Sequence, residues 1–344
     1  MKIALDAAGG DVGLAPNIEG AIEAVQGLGC DVLLVGPEHA IRRELSLRGV
    51  SAEDKRFEVF DAPDSIGMDE DPAKACREKP KAAIMASAEV VAKGRAQAFV
   101  SAGNSGAAMV AALWHLKRLP GVLRPAIASP VPTARGTRVL LDAGANADCK
   151  PWHLLQFATM GTLYAKHVLH IDKPSVGILS IGEEECKGNE LVRETIGLLK
   201  YSGLNFHGPI EGRDIPAGVV DVVVCDGFVG NICLKLMEGV ASSIFALLKS
   251  EIESGASTRL GGLLIRPAAR RLKDKMSYEE YGGAPLLGVG APAVICHGKS
   301  TARAIFNAHR VAKGLVEASA NEHMRVALDR MKSTLEMTKA VGVA

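Results

Sequence analysis

Short apolar segments that end at a small or acidic residue and run into glycines recur along this chain. They lie at residues 3–6, 99–101, 139–142, 178–181 and 222–226. An apolar run followed by a glycine turn and a helical pattern is typical of a parallel strand that leads into a helix. It leaves backbone N–H groups and the positive end of the helix at the turn. We expect several of these turns to share one edge of a sheet and to form an anion-binding crevice there.

Helical patterns follow most of these segments, and the alternation predicts a mostly parallel sheet with helices on both faces. The predicted fold class is therefore α/β, with three layers in the order α/β/α. No Pro/Ser-rich linker and no shift in composition divides the 344 residues, so we predict one α/β unit over residues 1–344. Pro130 and Pro132 follow the apolar run 126–129 and predict an edge strand or an irregular one.

The composition excludes several classes of protein. The chain is 48% hydrophobic and 23% charged, with 40 basic and 39 acidic side chains, so it has no charge bias that would favour nucleic acid as a partner. No apolar run in the sequence approaches the roughly 18–20 residues that span a bilayer, and the expected location is cytoplasmic or peripheral to the membrane. Seven cysteines without a CxxC pair indicate reduced thiols.

One segment interrupts the alternation of strands and helices. Residues 259–275 contain six basic side chains and one acidic side chain, and we expect a helical hairpin over residues 232–280 with its leucines at the tip. The tip could be buried against a second subunit, could enter a membrane surface where each basic residue contributes about 1 kcal/mol, or could be a basic dock for an acidic carrier protein. The candidate contact residues are Leu260, Leu263, Leu264, Arg266, Arg270 and Arg271.

Three motifs that would indicate other chemistries are incomplete. Residues 298–301 read GKST before a helical pattern, but Ala293 stands where the first glycine of a nucleotide-binding P-loop belongs. Ser105 has half of the G-x-S-x-G nucleophile elbow, because Ala107 replaces the second glycine. No G-x-G-x-x-G follows the first strand. The sequence therefore disfavours a kinase, a serine esterase and a dinucleotide-binding enzyme.

Two basic residues in the turns are candidates for chemistry. Lys187, between Glu185 and Gly188 and just before a predicted helix, could meet a phosphate with a point charge and with backbone donors. The alternative is an exposed lysine paired with its acidic neighbours. His297, between a strand and a helix, could be a packed turn residue or a proton donor.

The chain as a whole resembles the bacterial phosphate acyltransferases, also called acyl-ACP:phosphate transacylases, of phospholipid synthesis. The resemblance runs from the first strand to at least Ala318. Its motifs are DAAGGD at 6–11, SAGNSGA at 101–107, LDAGAN at 141–146, IGEE at 181–184 with KG at 187–188, EGRD at 211–214, DGFVGN at 226–231, and GGAPLLGV at 282–289 followed by HGKS at 297–300. Ala8, where Met is usual, and Ser105, where Thr is common, depart from the pattern.

The resemblance implies transfer of a long-chain fatty acyl group from acyl carrier protein to inorganic phosphate, giving acyl phosphate and a free carrier thiol. It implies a fold similar to that of phosphotransacetylase and the isocitrate dehydrogenase group, and a homodimer at the membrane surface beside a membrane glycerol-phosphate acyltransferase. Two alternatives stay open. One is a phosphotransacetylase-like enzyme that uses acyl-CoA, and the other is a non-catalytic regulator that binds phosphate or acyl carrier.

The chemistry of this reaction indicates which groups are needed. A thioester is already activated and phosphate is a ready nucleophile, so no covalent nucleophile, no metal and no organic cofactor is required. The protein must hold two anions in line with the carbonyl group, and such positioning supplies roughly 7–11 kcal/mol. Each good donor to the developing oxyanion adds about 3–4 kcal/mol.

We assign four sets of residues on this basis. Phosphate binding is assigned to the turn residues Gly9, Gly10, Asn104, Ser105, Gly106 and Lys187. The catalytic candidates are Lys187, Asn231 and His297, the last two meeting the thioester oxygen or the leaving sulfur. Carboxylates would repel phosphate, so an orienting role is assigned to Asp6, Asp142 and Asp226. An apolar acyl slot, with ordinary core packing as its alternative, is assigned to Gly283, Leu286 and Leu287.

Overall fold

One sheet of eleven strands runs through the protein. The computed structural model describes residues 1–340, with the side chains of residues 1–277 and 279–331. In chain order the strands are β1 (Lys2–Asp6), β2 (Asp31–Gly36), β3 (Phe57–Asp61), β4 (Ala98–Ser101), β5 (Ala126–Thr133), β6 (Gly136–Leu141), β7 (Val176–Leu179), β8 (Phe206–Ile210), β9 (Val222–Val224), β10 (Ala284–Leu287) and β11 (Ala293–Ile295). Their order across the sheet is β3-β2-β1-β4-β11-β10-β5-β6-β9-β7-β8.

Helices cover both faces of this sheet. They are α1 (Leu14–Leu28), α2 (Glu38–Leu47), α3 (Pro72–Glu78), α4 (Ala83–Ala92), α5 (Ser105–Ala111), α6 (Pro151–His167), α7 (Glu190–Lys200), α8 (Asp214–Ala217), α9 (Gly227–Glu253), α10 (Ala256–Met276), α11 (Ala302–Glu317) and α12 (Ala320–Ala340). Successive strand residues point to opposite faces. Accordingly Ile3 packs in a core with Ile18 of α1, whereas Ala4 packs in a separate core with Met85 of α4. The predicted α/β/α layering is confirmed.

The strands form two parallel blocks that run in opposite directions. Strands β3-β2-β1-β4-β11 form the first block and β6-β9-β7-β8 the second. Between the blocks, the pairs β11-β10, β10-β5 and β5-β6 are all antiparallel. Three reversals in succession leave the second block antiparallel to the first. The expectation that several glycine turns share one edge is met by two separate groups of turns, because the carboxyl ends of the two blocks point in opposite directions.

Strand β5 lies inside the sheet between β10 and β6. The prediction of an edge strand is therefore wrong for the start of β5, which pairs with β10. It pairs with β6 from Ala128 to Thr133 and with β10 through Ala126 and Ile127. Pro130 and Pro132 lie beyond the two residues that pair with β10. The prolines therefore occupy the part of β5 where pairing is described on one side, and a missing N–H is tolerated there.

Helices α9 and α10 form the predicted hairpin, but its turn lies earlier than expected. The chain reverses at Ser254 and Gly255, between the end of α9 and the start of α10. The leucines predicted at the tip lie instead on the first turns of α10, where Leu263 is 64% and Leu264 80% exposed. Gly255 is the N-terminal capping residue of α10, and its N–H donates to Thr258 Oγ1 at 3.1 Å.

Helix α9 is long and apolar enough, by length and composition, to cross a membrane. Its most apolar stretch has a mean hydropathy of 1.5 and no buried residue, so the expectation that no apolar run approaches this length is wrong. Its first turns nevertheless pack against the rest of the protein. Gly227 and Gly230 are buried, and Glu238 lies 3.6 Å from His297 of the turn after β11.

Buried His309 on α11 gives the fold a pH dependence. Its Nδ1 lies 2.8 Å from the Ile305 carbonyl oxygen, and burial lowers its pKa from 6.5 to about 4 because the charged imidazole would lose its hydration. Between these values the unfolded chain binds a proton that the folded chain does not. The contribution of His309 to the free energy of unfolding should therefore fall as the pH falls from 6.5 towards 4, by up to about 3 kcal/mol. Asp6, whose pKa burial raises to about 6, contributes in the opposite direction.

Urea unfolding of the wild type and of His309→Gln between pH 7 and pH 4 tests this dependence. The His309→Gln variant should lose the part of the pH dependence of the free energy of unfolding that His309 contributes. His39→Gln, which changes an exposed histidine, should retain it. An unchanged slope in His309→Gln would show that His309 is not its source.

Candidate functional site

The turns that follow β1, β4 and β11 meet at one edge of the sheet, and we call them the first turn group. The N–H of Asp11 donates to the carbonyl oxygen of Gly298 at 2.7 Å. Gly10 has a φ of 102°, and a Cβ at this position would lie 2.9 Å from the Gly298 oxygen and 3.3 Å from that of Ala102. Only glycine fits there without strain, so the three turns are in direct contact.

Asp6 holds the first turn group from below. Its side chain is buried, 2% exposed, and its Oδ2 accepts a hydrogen bond from Ser101 Oγ at 2.8 Å. Ser101 Oγ in turn accepts one from the N–H of Gly103 at 3.0 Å. Burial raises the pKa of Asp6 to about 6, although hydrogen bonds from Ser101 and from the backbone of Ala8 and Gly9 act to lower it. The carboxylate lies under the turns, where an orienting role is feasible.

The side chain of Asn104 is already occupied by the fold. Its Oδ1 accepts from the N–H of Ala107 at 3.1 Å and so caps α5. Its Nδ2 donates to three carbonyl oxygens of the loop at residues 67–70, each at 3.2 Å. Ser105 is exposed at the first position of α5, and Gly106 packs closely against Pro72. The first turn group therefore offers phosphate backbone donors rather than the Asn104 amide.

The turns that follow β6, β9 and β7 form the second turn group, and buried Asp142 organises it. The carboxylate of Asp142 is fully buried, and burial raises its pKa. It accepts hydrogen bonds from five donors, which are the backbone N–H groups of Ile127, Gly144, Ala145 and Asn146 and the side-chain Nδ2 of Asn146, at 2.7–3.2 Å. The turn after β6 is thus folded around one carboxylate.

The start of α9 is seated on this turn. Asp226 caps the helix, its Oδ1 accepting from the N–H of Val229 at 2.9 Å. Gly230 touches the backbone of Asp142 so closely that a Cβ would lie 1.9 Å from the Asp142 carbonyl oxygen. Asp226 therefore orients the helix start. The N–H groups of Gly227 and Gly230 are also bonded, to the carbonyl oxygens of Asn146 and Asp226, so it is mainly the positive end of the helix that favours an anion there.

Asn231 and Lys187 come to the same edge. A Cβ on Gly144 would lie 3.6 Å from Asn231 Cγ, so the Asn231 amide stands beside the turn after β6. Lys187 is exposed on the turn after β7, and β7 is the neighbour of β9, at a strand spacing of about 4.8 Å. Lys187 therefore lies at the same edge of the sheet as the start of α9.

The acidic neighbours of Lys187 have other partners. Glu183 forms an ion pair with Arg213 at 3.3 Å, and Glu185 pairs with Lys200 at 2.5 Å. The backbone N–H of Lys187 donates to the Glu184 carbonyl oxygen at 2.9 Å. This pattern weakens the alternative in which Lys187 is merely paired with the acids beside it.

Helix α9 connects the two turn groups. His297 Nε2 of the first group lies 3.6 Å from Glu238 Oε1 on α9, and the hydrogen bond to His297 lowers the pKa of Glu238. Asn231 and Glu238 are seven positions apart, so they share one face of the helix at a separation of about 10 Å. Sequence reasoning missed Glu238, although its spacing from Asn231 was a usable signal.

The predicted phosphate-binding set is therefore divided within one chain. Gly9, Gly10 and residues 104–106 lie in the first turn group, whereas Lys187 lies in the second, seven strands away from β1 in the sheet order. The reversal of strand direction between the blocks is the physical reason. Lys187 and Asn231 are brought to one edge, and His297 faces them along α9.

The residues assigned to an acyl slot lie in the core. Leu286 and Leu287 on β10 are 2% and 3% exposed and pack in the cores on opposite faces of the sheet. Gly283 is closed in by β11, since a Cβ there would lie 2.9 Å from the Ile295 carbonyl oxygen. This placement supports ordinary core packing, the alternative to an acyl slot.

The protein has the phosphotransacetylase fold. A phosphotransacetylase from Streptococcus pyogenes superimposes with a TM-score of 0.60 and 18% identity, covering 92% of this chain and 94% of that one. The sequence matches the profile of the family described as fatty acid synthesis protein over residues 1–323. It is 52% identical over 340 residues, 99% of each chain, to a phosphate acyltransferase of Elusimicrobium minutum. It is 48% identical over 332 residues, 96% of each, to one of Pelotomaculum thermopropionicum.

The chain belongs to the phosphate acyltransferase family of fatty acid and phospholipid synthesis. The resemblance found in the sequence and the predicted fold class are both confirmed.

Two glycines of α9 provide a matched test of how the helix is seated. Gly230→Ala should destabilise the protein by about 2 kcal/mol, because a Cβ cannot share space with the Asp142 carbonyl group. Gly239 has open space around its Cβ position, so Gly239→Ala should stabilise α9 by up to about 1 kcal/mol. Thermal and urea unfolding measure both changes. Equal stability of the two variants would contradict the seating of α9 on Asp142.

Proposed function

We propose that this phosphate acyltransferase moves a long-chain fatty acyl group from acyl carrier protein to inorganic phosphate. The observation that carries the proposal is the second turn group, which brings Lys187, Asn231 and the start of α9 to one edge of the sheet. A lysine ammonium, the positive end of a helix and a side-chain amide are together suited to one phosphate and one developing oxyanion.

The proposed reaction is a direct displacement. A phosphate oxygen attacks the carbonyl carbon of the thioester, the new C–O bond forms, and the C–S bond breaks to release the carrier thiolate, which takes up a proton. Lys187 and the positive end of α9 hold the phosphate, and the Asn231 amide donates to the carbonyl oxygen as it becomes negative. Asp142 and Asp226 keep these donors in place through the backbone contacts that they accept.

His297 is predicted to protonate the carrier thiolate after it has left, because the sulfur of the intact thioester is bonded to the carbonyl carbon whose oxygen the Asn231 amide meets. His297 lies at the other end of the shared face of α9, about 10 Å from Asn231 along the helix, and Glu238 at 3.6 Å holds its imidazole towards α9. The first turn group, with Gly10 in contact with Gly298, frames the His297 end.

A comparison of donors tests the reaction. The purified protein is incubated with phosphate and either palmitoyl carrier protein or palmitoyl-CoA, and acyl phosphate is trapped with hydroxylamine. We expect phosphate-dependent product from the carrier thioester. Product from CoA alone would identify a phosphotransacetylase-like enzyme, and binding without product from either donor would identify a non-catalytic regulator.

Lys187→Ala should lower the rate of acyl phosphate formation at least about tenfold, which corresponds to the loss of roughly 1.4 kcal/mol of transition-state stabilisation. Lys93→Ala is the matched control, because Lys93 is an exposed lysine at the end of α4 that pairs with Glu89. Steady-state kinetics with phosphate as the varied substrate measure the effect. Identical kinetics of Lys187→Ala and wild type would remove Lys187 from the site.

We further propose that the hairpin of α9 and α10 mediates a homodimer. Large apolar side chains that are about half exposed or more recur every four residues on α9, at Phe228, Ile232, Leu236, Val240 and Ile244. A row with this spacing forms a ridge that fits into the groove of another helix. Analytical ultracentrifugation tests the proposal, since Leu236→Glu should shift a dimer towards monomer and a monomeric wild type would refute it.

The proposed location is the cytoplasmic surface of the membrane, beside a membrane glycerol-phosphate acyltransferase. Leu260, Leu263 and Leu264 on α10 are 64–80% exposed, and the basic residues at 266, 270 and 271 follow them on the same helix. Exposed leucines with basic neighbours bind anionic lipid surfaces.

Replacing Leu263 and Leu264 with Glu should abolish co-sedimentation with anionic vesicles while activity on soluble substrate persists. Leu47→Glu, at another exposed leucine, is the matched control and should sediment like the wild type. Undiminished sedimentation of the double variant would exclude this surface.

A further inference from the structure

A basic surface with an apolar centre borders the second turn group. It consists of residues 117–124, which lead into β5, together with Trp114 and Lys150, and we call it the basic collar. An open groove of about 420 Å³ lies along it, lined by Leu113 and residues 117–122. Trp114 is 39% and Leu123 45% exposed.

The basic collar has a fixed shape. Arg118 Nη1 donates to the Leu123 carbonyl oxygen at 2.5 Å. Gln156 of α6 clamps the same loop, donating to the Gly121 carbonyl oxygen and accepting from the N–H of Leu123, both at 2.8 Å. Leu119 and Val122 are buried beneath it. These hydrogen bonds fix the conformation of the loop that carries the exposed side chains of the collar.

The collar is continuous with the site. Pro125 follows it directly, and its carbonyl oxygen accepts from Asn146 Nδ2 at 2.8 Å. Asn146 also donates to the buried carboxylate of Asp142. Arg124 is therefore next to Pro125, the residue that bonds the collar to the turn after β6. Lys150 follows the same turn, at the start of α6. The collar and the second turn group form one surface.

The charge of the collar is one-sided. Lys117, Arg118, Arg124 and Lys150 are exposed, and Asp148 is the exposed acid among residues 113–124 and 143–150. The chain as a whole carries almost no net charge, with 40 basic and 39 acidic side chains, so the excess is local. Basic side chains around exposed Trp and Leu are complementary to an acidic protein surface with an apolar ridge.

We propose that the basic collar is the docking surface for the acidic carrier protein that delivers the acyl thioester. This inference rests on the proposed function. A carrier-bound acyl group must reach the second turn group, and the collar is bonded to it. The turn of the hairpin, in contrast, is 23 residues along α9 from Asn231, or roughly 35 Å. The charges of the collar also steer the encounter, which makes it sensitive to salt.

The test compares two surfaces and two substrates. One variant carries Lys117→Glu and Arg124→Glu and leaves Arg118, which holds the loop, in place. The comparison variant carries Arg270→Glu and Arg271→Glu on α10. The substrates are palmitoyl carrier protein and S-palmitoyl-pantetheine, which has the thioester arm without the protein. Thermal unfolding confirms that both variants are folded.

The collar variant should raise the KM for palmitoyl carrier protein by about tenfold or more and leave kinetics on S-palmitoyl-pantetheine unchanged, since about 1.4 kcal/mol of docking energy is a factor of ten. The comparison variant should keep the wild-type KM. An unchanged KM in the collar variant, or an equal rise in the comparison variant, would overturn the proposal.

Direct binding separates this proposal from the proposed function. Fluorescence anisotropy of labelled carrier protein requires no turnover. If the wild type binds carrier without turnover and the collar variant loses binding, the docking surface stands and the proposed reaction fails. If the wild type turns over carrier thioester and the collar variant binds as tightly, the reaction stands and the docking surface is refuted. Absence of binding by the wild type refutes the docking surface as well.

Discussion

The buried carboxylate of Asp142 is the interaction on which the site depends. It gathers four backbone N–H groups and one side-chain amide, and burial raises its pKa in spite of them. Leaving those donors unpaired in the core would cost about 1–3 kcal/mol each. The turn after β6 therefore has one stable shape, and the start of α9 is seated against it through Gly230. The donors proposed for phosphate are thus fixed before any substrate arrives, which is the condition for electrostatic catalysis.

Strand direction decides which turns can act together. Three antiparallel pairs in the middle of the sheet send the carboxyl ends of the two blocks in opposite directions. Helix α9 then runs back from the second turn group and reaches His297 of the first through Glu238. Helix α9 thus begins at the end that we propose for phosphate and connects the two turn groups along one face. Beyond Glu238 the same helix becomes the exposed half of a hairpin, so the site and its proposed contacts with a second subunit or a membrane share one rigid element.

Local sequence signals predicted the local structure well. Apolar runs that end in glycines predicted where strands end and helices begin. The acidic residues after β6 and β9 each accept hydrogen bonds from backbone N–H groups, as the orienting role predicted for them requires. Sequence could not show the direction of the second block, because β10 pairs with β11 and with β5 across long separations in the chain. It therefore placed Gly9 and Lys187 in one phosphate site. It also assigned Asn104 to phosphate, since no local pattern reveals that three carbonyl oxygens of residues 67–70 occupy its amide.

The central claim is that phosphate binds at the second turn group, beside Lys187 and Asn231. Hydrogen exchange of the backbone amides, measured by mass spectrometry while inorganic phosphate is titrated, tests this claim most directly. Bound phosphate stabilises the turns that it contacts and so slows the exchange of their backbone amides. The account predicts saturable protection of residues 144–146, 187–190 and 227–231, with residues 8–11 and 103–107 unchanged. Protection confined to residues 8–11 and 103–107 would contradict it and would move phosphate to the first turn group.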